Sequence, residues 1–219
     1  MNKSTKQEPA AEQRARGRPR SEEKHRKIMQ AAMELFTQNG FEGTSVDLIA
    51  EAAGVSKQTV YSHFGCKETL FGLAISSKCK MSGIEPEAID ADAPPERVLP
   101  EIAVRFLDLI NSPEALGVHA ICTGSAESHP ELGLVYFERG PLATVHAVSH
   151  YLEAQVRAGH LQIDDPESAA WQFLCMIKAE SHMRVQFNLE PMDKGMEEKY
   201  VASCVAMFLR AYMPGHLEP

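Results

Sequence analysis

One short stretch of the sequence, SKQTVYSH at residues 56–63, is crowded with side chains that form hydrogen bonds. An ordinary solvated helix face mixes glutamate with lysine, whereas this stretch carries lysine, glutamine, hydroxyl groups and histidine. Such side chains are suited to contacts with phosphates and with the edges of bases. The stretch therefore indicates recognition of nucleic acid, and a solvated surface is the alternative.

Two short helical patterns place these side chains on an exposed helix. The first has Thr44 or Ser45 as its N-cap and stops at Gly54, and the second has Ser56 as its N-cap. Two short helices joined by a tight turn with a glycine are typical of a helix-turn-helix motif. Helices of this length cannot offset the cost of nucleation alone, so they must pack on another helix.

That other helix is predicted to start near Ser21 and to end at Asn39-Gly40. Between these points, apolar residues recur at the spacing of one buried helical stripe. The stripe consists of Ile28, Ala31, Ala32, Leu35 and Phe36. A fourth helix is predicted from Lys67 to about Cys79, and glycine and prolines then mark a linker.

The rest of the chain is helical in pattern. Helices are predicted at residues 95–111, 113–127, 130–158, 166–187 and 193–212. Proline lacks a backbone donor and clashes with the preceding turn, so the third of these is expected to break or kink at Gly140-Pro141. No segment alternates with period two for long enough to form a convincing strand. The predicted fold class is therefore all-α.

The charge of the chain is unevenly distributed. The formal net charge is −8, but residues 1 to 80 carry thirteen Lys or Arg against nine Asp or Glu, and residues 81 to 219 carry nine against twenty-one. A basic segment beside an acidic one indicates that only the first meets a polyanion. Its N-terminal stretch RARGRPR contains Arg14, Arg16, Arg18 and Arg20, which either enter a minor groove or form a solvated tail.

Composition excludes several classes of protein. No apolar run approaches the length of a membrane span, and the polar N-terminus lacks the apolar core of a signal peptide, so a cytoplasmic location is predicted. Five scattered cysteines without a CxxC pair argue against a disulfide framework or a zinc knuckle. We find no catalytic triad, phosphate loop or metal motif, and we therefore predict neither an enzyme nor a cofactor.

Residues 25 to 71 resemble the DNA-binding domain of the TetR family of bacterial transcription regulators. The resemblance is carried by KIMQAAMELFTQNGFEG and by TSVDLIAEAAGVSKQTVYSHFGCKETLF, which match in register. It implies a dimeric, all-α regulator that binds operator DNA and is released by a small ligand. Position in the motif assigns base contacts to Lys57, Gln58 and Tyr61, and phosphate contacts to Thr44, Ser45, Ser56, Thr59, Tyr61, His63 and Lys67.

Residues 130 to 213 resemble the C-terminal domain of the AefR-like branch of that family. The features that carry this resemblance are YFERGP, YLEAQVRAGHLQIDDPESAAWQFL and FLRAYMP. It implies an effector-binding and dimerisation domain, in a branch whose members often control efflux or stress genes. The last two predicted helices are rich in apolar residues, so they are the expected surface of a homodimer, or else the centre of a monomeric bundle.

We therefore predict a basic arm at residues 1–20, a helix-turn-helix domain at 21–68, a connecting helix and linker at 69–85, an effector-binding domain at 86–213 and a tail at 214–219. A ligand pocket in such a domain is expected to be mostly apolar with a few polar groups. The candidate pocket residues are Phe106, His119, Cys122, Tyr136, Phe137, Trp171, Cys175 and His182.

Two further patterns are weaker. His146 and His150 are four residues apart and could share a metal with His182 or Glu180, but this spacing is common by chance and no metal site is predicted. Cys66 lies beside Lys67 near a helix N-terminus, an environment that activates thiols, and a redox-responsive regulator is one alternative.

The predicted function is that of a ligand-responsive repressor, a homodimer released from a palindromic operator by a small, largely apolar effector. The sequence does not specify the regulated gene, and an efflux or stress gene is one candidate. The second alternative is an architectural protein that binds DNA without sequence preference.

Overall fold

The computed structural model describes residues 18–215, with side chains described from residue 21 onward, and this part of the chain is helical without any strand. The predicted all-α fold class is therefore confirmed. The helices are α1 (Arg18–Asn39), α2 (Val46–Ala53), α3 (Lys57–Phe64), α4 (Lys67–Met81), α5 (Pro95–Ile110), α6 (Pro113–Gly124), α7 (Pro130–Phe137), α8 (Ala143–Arg157), α9 (Pro166–Gln186) and α10 (Lys194–Tyr212), with a π-helical turn at Glu138–Leu142 between α7 and α8.

The first helix begins earlier than the sequence pattern indicates. The predicted start was Ser21, whereas α1 begins at Arg18 and therefore includes the last residues of the predicted arm. The physical reason is that Pro19 is tolerated in the first turn, where a backbone N–H has no helical partner. Arg18 and Arg20 consequently belong to the helical backbone.

Serine caps hold the two short helices in place. Ser45, rather than Thr44, is the N-cap of α2, and its Oγ accepts a hydrogen bond from the backbone N–H of Leu48 at 3.2 Å. Ser56 caps α3 in the same way through the N–H of Thr59. Gly54 ends α2 with φ of 65°, a conformation that glycine adopts without steric cost.

A buried aromatic cluster fixes these elements on α1 and α4. The rings of Phe36, Phe41 and Phe71 lie with centroids 5.2 to 5.7 Å apart, and Phe71 meets both others edge to face. Edge-to-face pairs stabilise a fold beyond their buried area. Because these residues come from α1, the α1–α2 turn and α4, the cluster joins the helix-turn-helix unit to the helix that follows it.

A second core lies among α5, α8, α9 and α10. Its centre contains Tyr151 and Phe173, which are almost fully buried. The segment before α5 is tied to this core, because the Tyr151 hydroxyl donates to the carbonyl of Ala93 at 2.9 Å and the Gln155 amide donates to that of Ala91 at 2.8 Å. The proline-containing segment that leads into α5 is therefore packed against this core.

Two helical irregularities occur in this half. The chain makes the π-helical turn at Pro141, where the break was predicted. The second was not predicted: α9 contains Ala179 with φ of 22° and ψ of −136°, so the helix expected at residues 166–187 is kinked. Left-handed backbone at a residue with a Cβ costs free energy and has no signature in the sequence pattern.

The close approach of α4 and α7 depends on a glycine. A Cβ built on Gly72 would lie 2.9 Å from Cγ1 of Val135, closer than side-chain atoms pack. The stiff β-branched side chain of Val135 cannot easily turn away. Gly72 therefore sets the distance between α4, the helix after the helix-turn-helix unit, and α7 in the second half of the chain.

Gly72→Ala and Gly133→Ala form a matched pair, because a Cβ on Gly133, within α7, meets nothing within 4 Å. We expect Gly133→Ala to raise the free energy of unfolding by about 0.5–1 kcal/mol through helix propensity. Gly72→Ala should lower it by about 1 kcal/mol net, since overlap with Val135 outweighs that gain. Urea unfolding measures both, and equal stabilisation by the two variants would contradict the close contact.

Candidate nucleic-acid interface and ligand cavity

Helix α3 presents one face to the core and the other to solvent. Val60 and Phe64 are buried, whereas Lys57, Gln58 and Tyr61 are exposed, with 43% of Tyr61 accessible. The three predicted base-contacting side chains thus project from a short helix whose register is fixed by its buried face. This is the arrangement needed for entry of a helix into a major groove.

Lys57 is exposed but already paired. Its Nζ lies 2.8 Å from Oδ2 of Asp47 on α2, and this hydrogen bond and charge raise the pKa of the Lys57 ammonium. The pair ties the start of α3 to α2 across the turn. A base contact by Lys57 requires its side chain to exchange Asp47 for the DNA, at small cost because exposed pairs contribute little to stability.

The structure gives Thr44 a different role from the predicted phosphate contact. Its side chain is fully buried, and its hydroxyl donates to the carbonyls of Leu35 at 3.0 Å and Gly40 at 2.8 Å. A hydroxyl held in this way holds the α1–α2 turn and is not presented to a phosphate. Ser45 and Ser56 are exposed helix caps, and Thr59 and His63 are half-buried on α3.

Lys67 is partly engaged within the protein. Its Nζ donates to the carbonyl of Phe41 at 3.0 Å and lies 4.0 Å from the centre of the Phe41 ring. The backbone N–H groups at the start of α4 lie beside it, so an anion there would meet both. Cys66 is the N-cap of α4, with Sγ accepting from the N–H of Thr69, a capping role that sequence analysis did not assign.

The predicted arginine arm is only partly described. Arg16 lies outside the described residues. Arg18 and Arg20 lie in the first turn of α1, and their side chains are outside the described part. The contact of these arginines with a minor groove stays a prediction.

A cavity of about 330 Å³ lies between the two halves of the chain. Its walls come from α1 and from every helix from α4 to α9, together with the π-helical turn. Seven of the eight predicted pocket residues line it, namely Phe106, His119, Tyr136, Phe137, Trp171, Cys175 and His182. Most of the remaining wall is aliphatic, so the cavity suits a mostly apolar ligand.

Cys122 is the predicted pocket residue that does not line the cavity. Its thiol faces the carbonyl of Leu132 at 3.7 Å within the N-terminal core, and burial raises the pKa of that thiol to about 11. Cys122 lies on the same face of α6 as Val118 but one turn further along the helix, where it packs in the N-terminal core. Val118 and His119 line the cavity instead.

The polar groups of the cavity wall are mostly uncharged. His182 is buried, hydrogen-bonded through Nδ1 to Oδ1 of Asn111 at 2.9 Å, and its pKa falls to about 4 because of burial and then of Lys178 and His119. Burial and Lys178 also lower the pKa of His119. Burial raises the pKa of Tyr136 to about 12. These groups therefore present neutral donors and acceptors near neutral pH.

Lys78 and Lys178 are charged wall residues that sequence analysis missed. Lys78 is paired with Glu114 at 3.0 Å. Lys178 had a signal in the sequence, because it lies seven residues after Trp171 and four before His182, on the same face of α9 as these two predicted residues. No such signal in the sequence identified Lys78, because the pattern of α4 does not show which face of α4 meets α6.

Family comparison agrees with this architecture. Residues 28–74 match the model described as bacterial regulatory proteins of the TetR family, and residues 97–214 match that of the AefR-like transcriptional repressor C-terminal domain. The second match alone spans more than half of the chain. The chain belongs to the TetR family of transcriptional regulators. The predicted family and its AefR-like branch are thereby confirmed, and the exposed α3 lies in the family's DNA-binding domain.

Individual regulators are similar to this chain over most of its length. A TetR-family regulator from Mesorhizobium loti is 30% identical, with a TM-score of 0.75 over 89% of this chain and 98% of that one. The flavonoid-responsive regulator FrrA is also 30% identical, with a TM-score of 0.68 over 88% and 98%. The regulator YhgD of Bacillus subtilis is 21% identical over 83% of this chain and 92% of its own length.

Two further observations concern partners of other kinds. Among residues 18–215, no three His, Cys, Asp or Glu side chains stand close enough to hold a metal ion, and His146 and His150 lie exposed on α8. Within that same part of this TetR-family chain, no helix is long and apolar enough to cross a membrane.

Thr44→Val should separate folding from DNA binding. Loss of the buried hydroxyl leaves two carbonyls without that donor, so we expect the free energy of unfolding to fall by about 1–2 kcal/mol. DNA affinity of the folded protein should be unchanged. Gln58→Ala should instead lower DNA affinity and leave the free energy of unfolding unchanged. Urea unfolding and fluorescence anisotropy with labelled duplex measure the two quantities, and a DNA defect in stable Thr44→Val would restore the phosphate role.

Acid should destabilise the protein through His182. The unfolded imidazole has a pKa near 6.5 and the folded one near 4, so stability is fully present above pH 6.5 and falls as the pH drops towards 4. Near pH 5 the loss should reach roughly 2 kcal/mol. His182→Gln should flatten this part of the urea-unfolding profile, whereas His150→Gln, at an exposed position of α8, should not. An equal effect of both variants would contradict the assignment.

Proposed function

We propose that this protein is a homodimeric repressor that leaves a palindromic operator when a small, largely apolar effector fills the cavity. In this proposal, residues 21–68 read DNA, residues 86–213 bind the effector and form the dimer, and α4 connects them. The observation that carries the proposal is that α4 belongs to both sites. It begins at Lys67, separated from the end of α3 by two residues, and its Ile75, Lys78 and Cys79 line the cavity.

A dimer is supported by the surface of the last two helices. Large apolar side chains are exposed on α9, on α10 and on the turn between them: Met183, Phe187, Leu189, Met196, Tyr200 and Met207. Exposed apolar side chains in one region of a protein mark an interaction surface. Two copies joined there would present two α3 helices to half-sites about 34–36 Å apart or a multiple of that spacing.

The character of the effector is supported by the cavity wall and by one relative. The wall is formed mainly by aliphatic and aromatic side chains, including a near-parallel pair of Phe137 and Trp171 rings. FrrA, which is 30% identical to this chain over most of its length, is a flavonoid-responsive regulator. A small organic molecule with a largely apolar body is thus the effector we propose.

Release of DNA follows if the effector binds two geometries of α4 unequally. Near the start of α4, Phe71 packs on the aromatic cluster and the adjacent Gly72 packs on α7, while the cavity end of the helix contributes Ile75, Lys78 and Cys79 to the wall. A ligand that displaces the cavity end tilts the whole helix, because helix interiors do not bend easily. A coupling free energy of about 1–3 kcal/mol would change operator affinity roughly 5- to 150-fold.

Selection of bound duplexes from a random DNA pool tests the proposed function. We expect the most enriched duplex to be palindromic and to bind roughly 10³-fold or more tightly than unrelated duplex. Tyr61→Ala should abolish that preference, while Tyr61→Phe, which keeps the ring, should retain part of it. Urea unfolding of both variants controls for stability.

Enrichment of no sequence, with weak binding that Tyr61→Ala leaves unchanged, would contradict a repressor. Such a result would instead support an architectural protein that contacts only the DNA backbone. Enrichment of a site without two-fold symmetry would contradict the homodimer but not sequence-specific binding.

A further inference from the structure

The charges on the cavity wall do not balance. Lys78 is neutralised by Glu114, which lies 3.0 Å from its Nζ. Lys178 also lines the cavity and has no ion pair within residues 21–215. The nearest turn of α9 offers no partner, because Glu180 is taken by Arg184 at 2.7 Å. The wall therefore carries one uncompensated positive charge.

Neutral hydrogen-bonding groups surround this charge. Burial, and then the charge of the Lys178 ammonium, lowers the pKa of both His119 and His182, and all three residues line the cavity. Nδ1 of His182 is occupied by Asn111 and Nδ1 of His119 by Gln186, at 2.9 and 3.3 Å. The second nitrogen of each ring has no hydrogen-bond partner within the described residues. The Gln186 amide donates to Nδ1 of His119, so the other nitrogen of that ring carries the proton, and a charged acceptor could use it together with the ammonium. His182 donates from Nδ1 to Asn111, so its second nitrogen is an acceptor.

Two aromatic rings of the same wall favour a flat molecule. The rings of Phe137 and Trp171 are nearly parallel, at an angle of 10° and with centroids 6.1 Å apart. Phe137 is 44% exposed, so this pair stands at an open edge of the cavity. Aromatic faces side by side offer a stacking surface to a planar ring, which gains free energy beyond that of its buried area.

We propose that the effector is a planar aromatic acid that enters the cavity as a monoanion and places its carboxylate against Lys178. This inference rests on the proposed function, because it assumes that the cavity is the effector site. A neutral ligand of the same shape would cover the ammonium without a partner, at a cost in solvation. A cationic ligand would in addition be repelled by the like charge of the ammonium. The cavity should therefore bind the acid most tightly, the amide less tightly and the amine most weakly.

Three probes with the same ring test this order: 2-naphthoate, 2-naphthamide and 2-naphthylmethylammonium. Calorimetric titration gives their affinities without DNA. Trp171 is the one tryptophan of the sequence, so a single indole N–H signal in a ¹H–¹⁵N spectrum reports whether each probe occupies the cavity. We expect 2-naphthoate to shift that signal and to bind roughly ten-fold or more tightly than the amide.

Substitution of the lysine provides the decisive comparison. Lys178 is exposed, so its replacement should leave the fold intact. Lys178→Met should bind acid and amide equally, and Lys178→Glu should prefer the ammonium probe. Lys199→Met, at an exposed position of α10 outside the cavity, is the matched control and should keep the wild-type preference. Equal binding of acid and amide by the wild type, no binding of the acid, or an unchanged preference in Lys178→Met would overturn the proposal.

Addition of operator DNA separates this inference from the function on which it rests. If 2-naphthoate binds in the cavity with the expected preference but the operator stays bound, the ligand class stands and effector control fails. If the amide releases the operator as readily as the acid, effector control stands and the ligand class fails.

Discussion

The packing of Phe71 against Phe36 and Phe41 is the contact on which the arrangement of the two sites depends. It fixes the first turns of α4 to the DNA-binding unit, where the adjacent Gly72 lies against α7, and the later part of the same helix lines the cavity with Ile75, Lys78 and Cys79. One helix therefore contacts both the DNA-binding unit and the cavity. The fold therefore connects the cavity wall to the helix-turn-helix unit through α4.

The DNA-binding unit separates the residues that hold it from those it presents. Thr44 is buried in hydrogen bonds to two carbonyls, and Lys57 and Lys67 are tied to Asp47 and to the carbonyl of Phe41. These contacts fix α3 relative to its neighbours before DNA arrives. A pre-formed surface loses less conformational entropy on binding, which favours affinity.

Both helical irregularities of the second half border the cavity. The π-helical turn contributes Gly140 and Pro141 to its wall, and the kink at Ala179 lies between the wall residues Lys178 and His182. Irregular backbone concentrates at functional sites because a regular helix cannot bring such side chains to one point. The cavity thus depends on positions where the regular hydrogen-bonding pattern of a helix is interrupted.

The sequence by itself determined the all-α class, the helix order, the break at Pro141 and the identity of the exposed helix, because each of these depends on local periodicity, caps and proline chemistry. It also placed Trp171 and His182 on one helix face. Only the tertiary structure decided that Thr44 is buried, that Cys122 packs in the N-terminal core and that Lys178 stands in the cavity wall with no ion pair to any residue the structure describes. Those outcomes depend on how helices distant in sequence are rotated against one another, which local pattern does not specify.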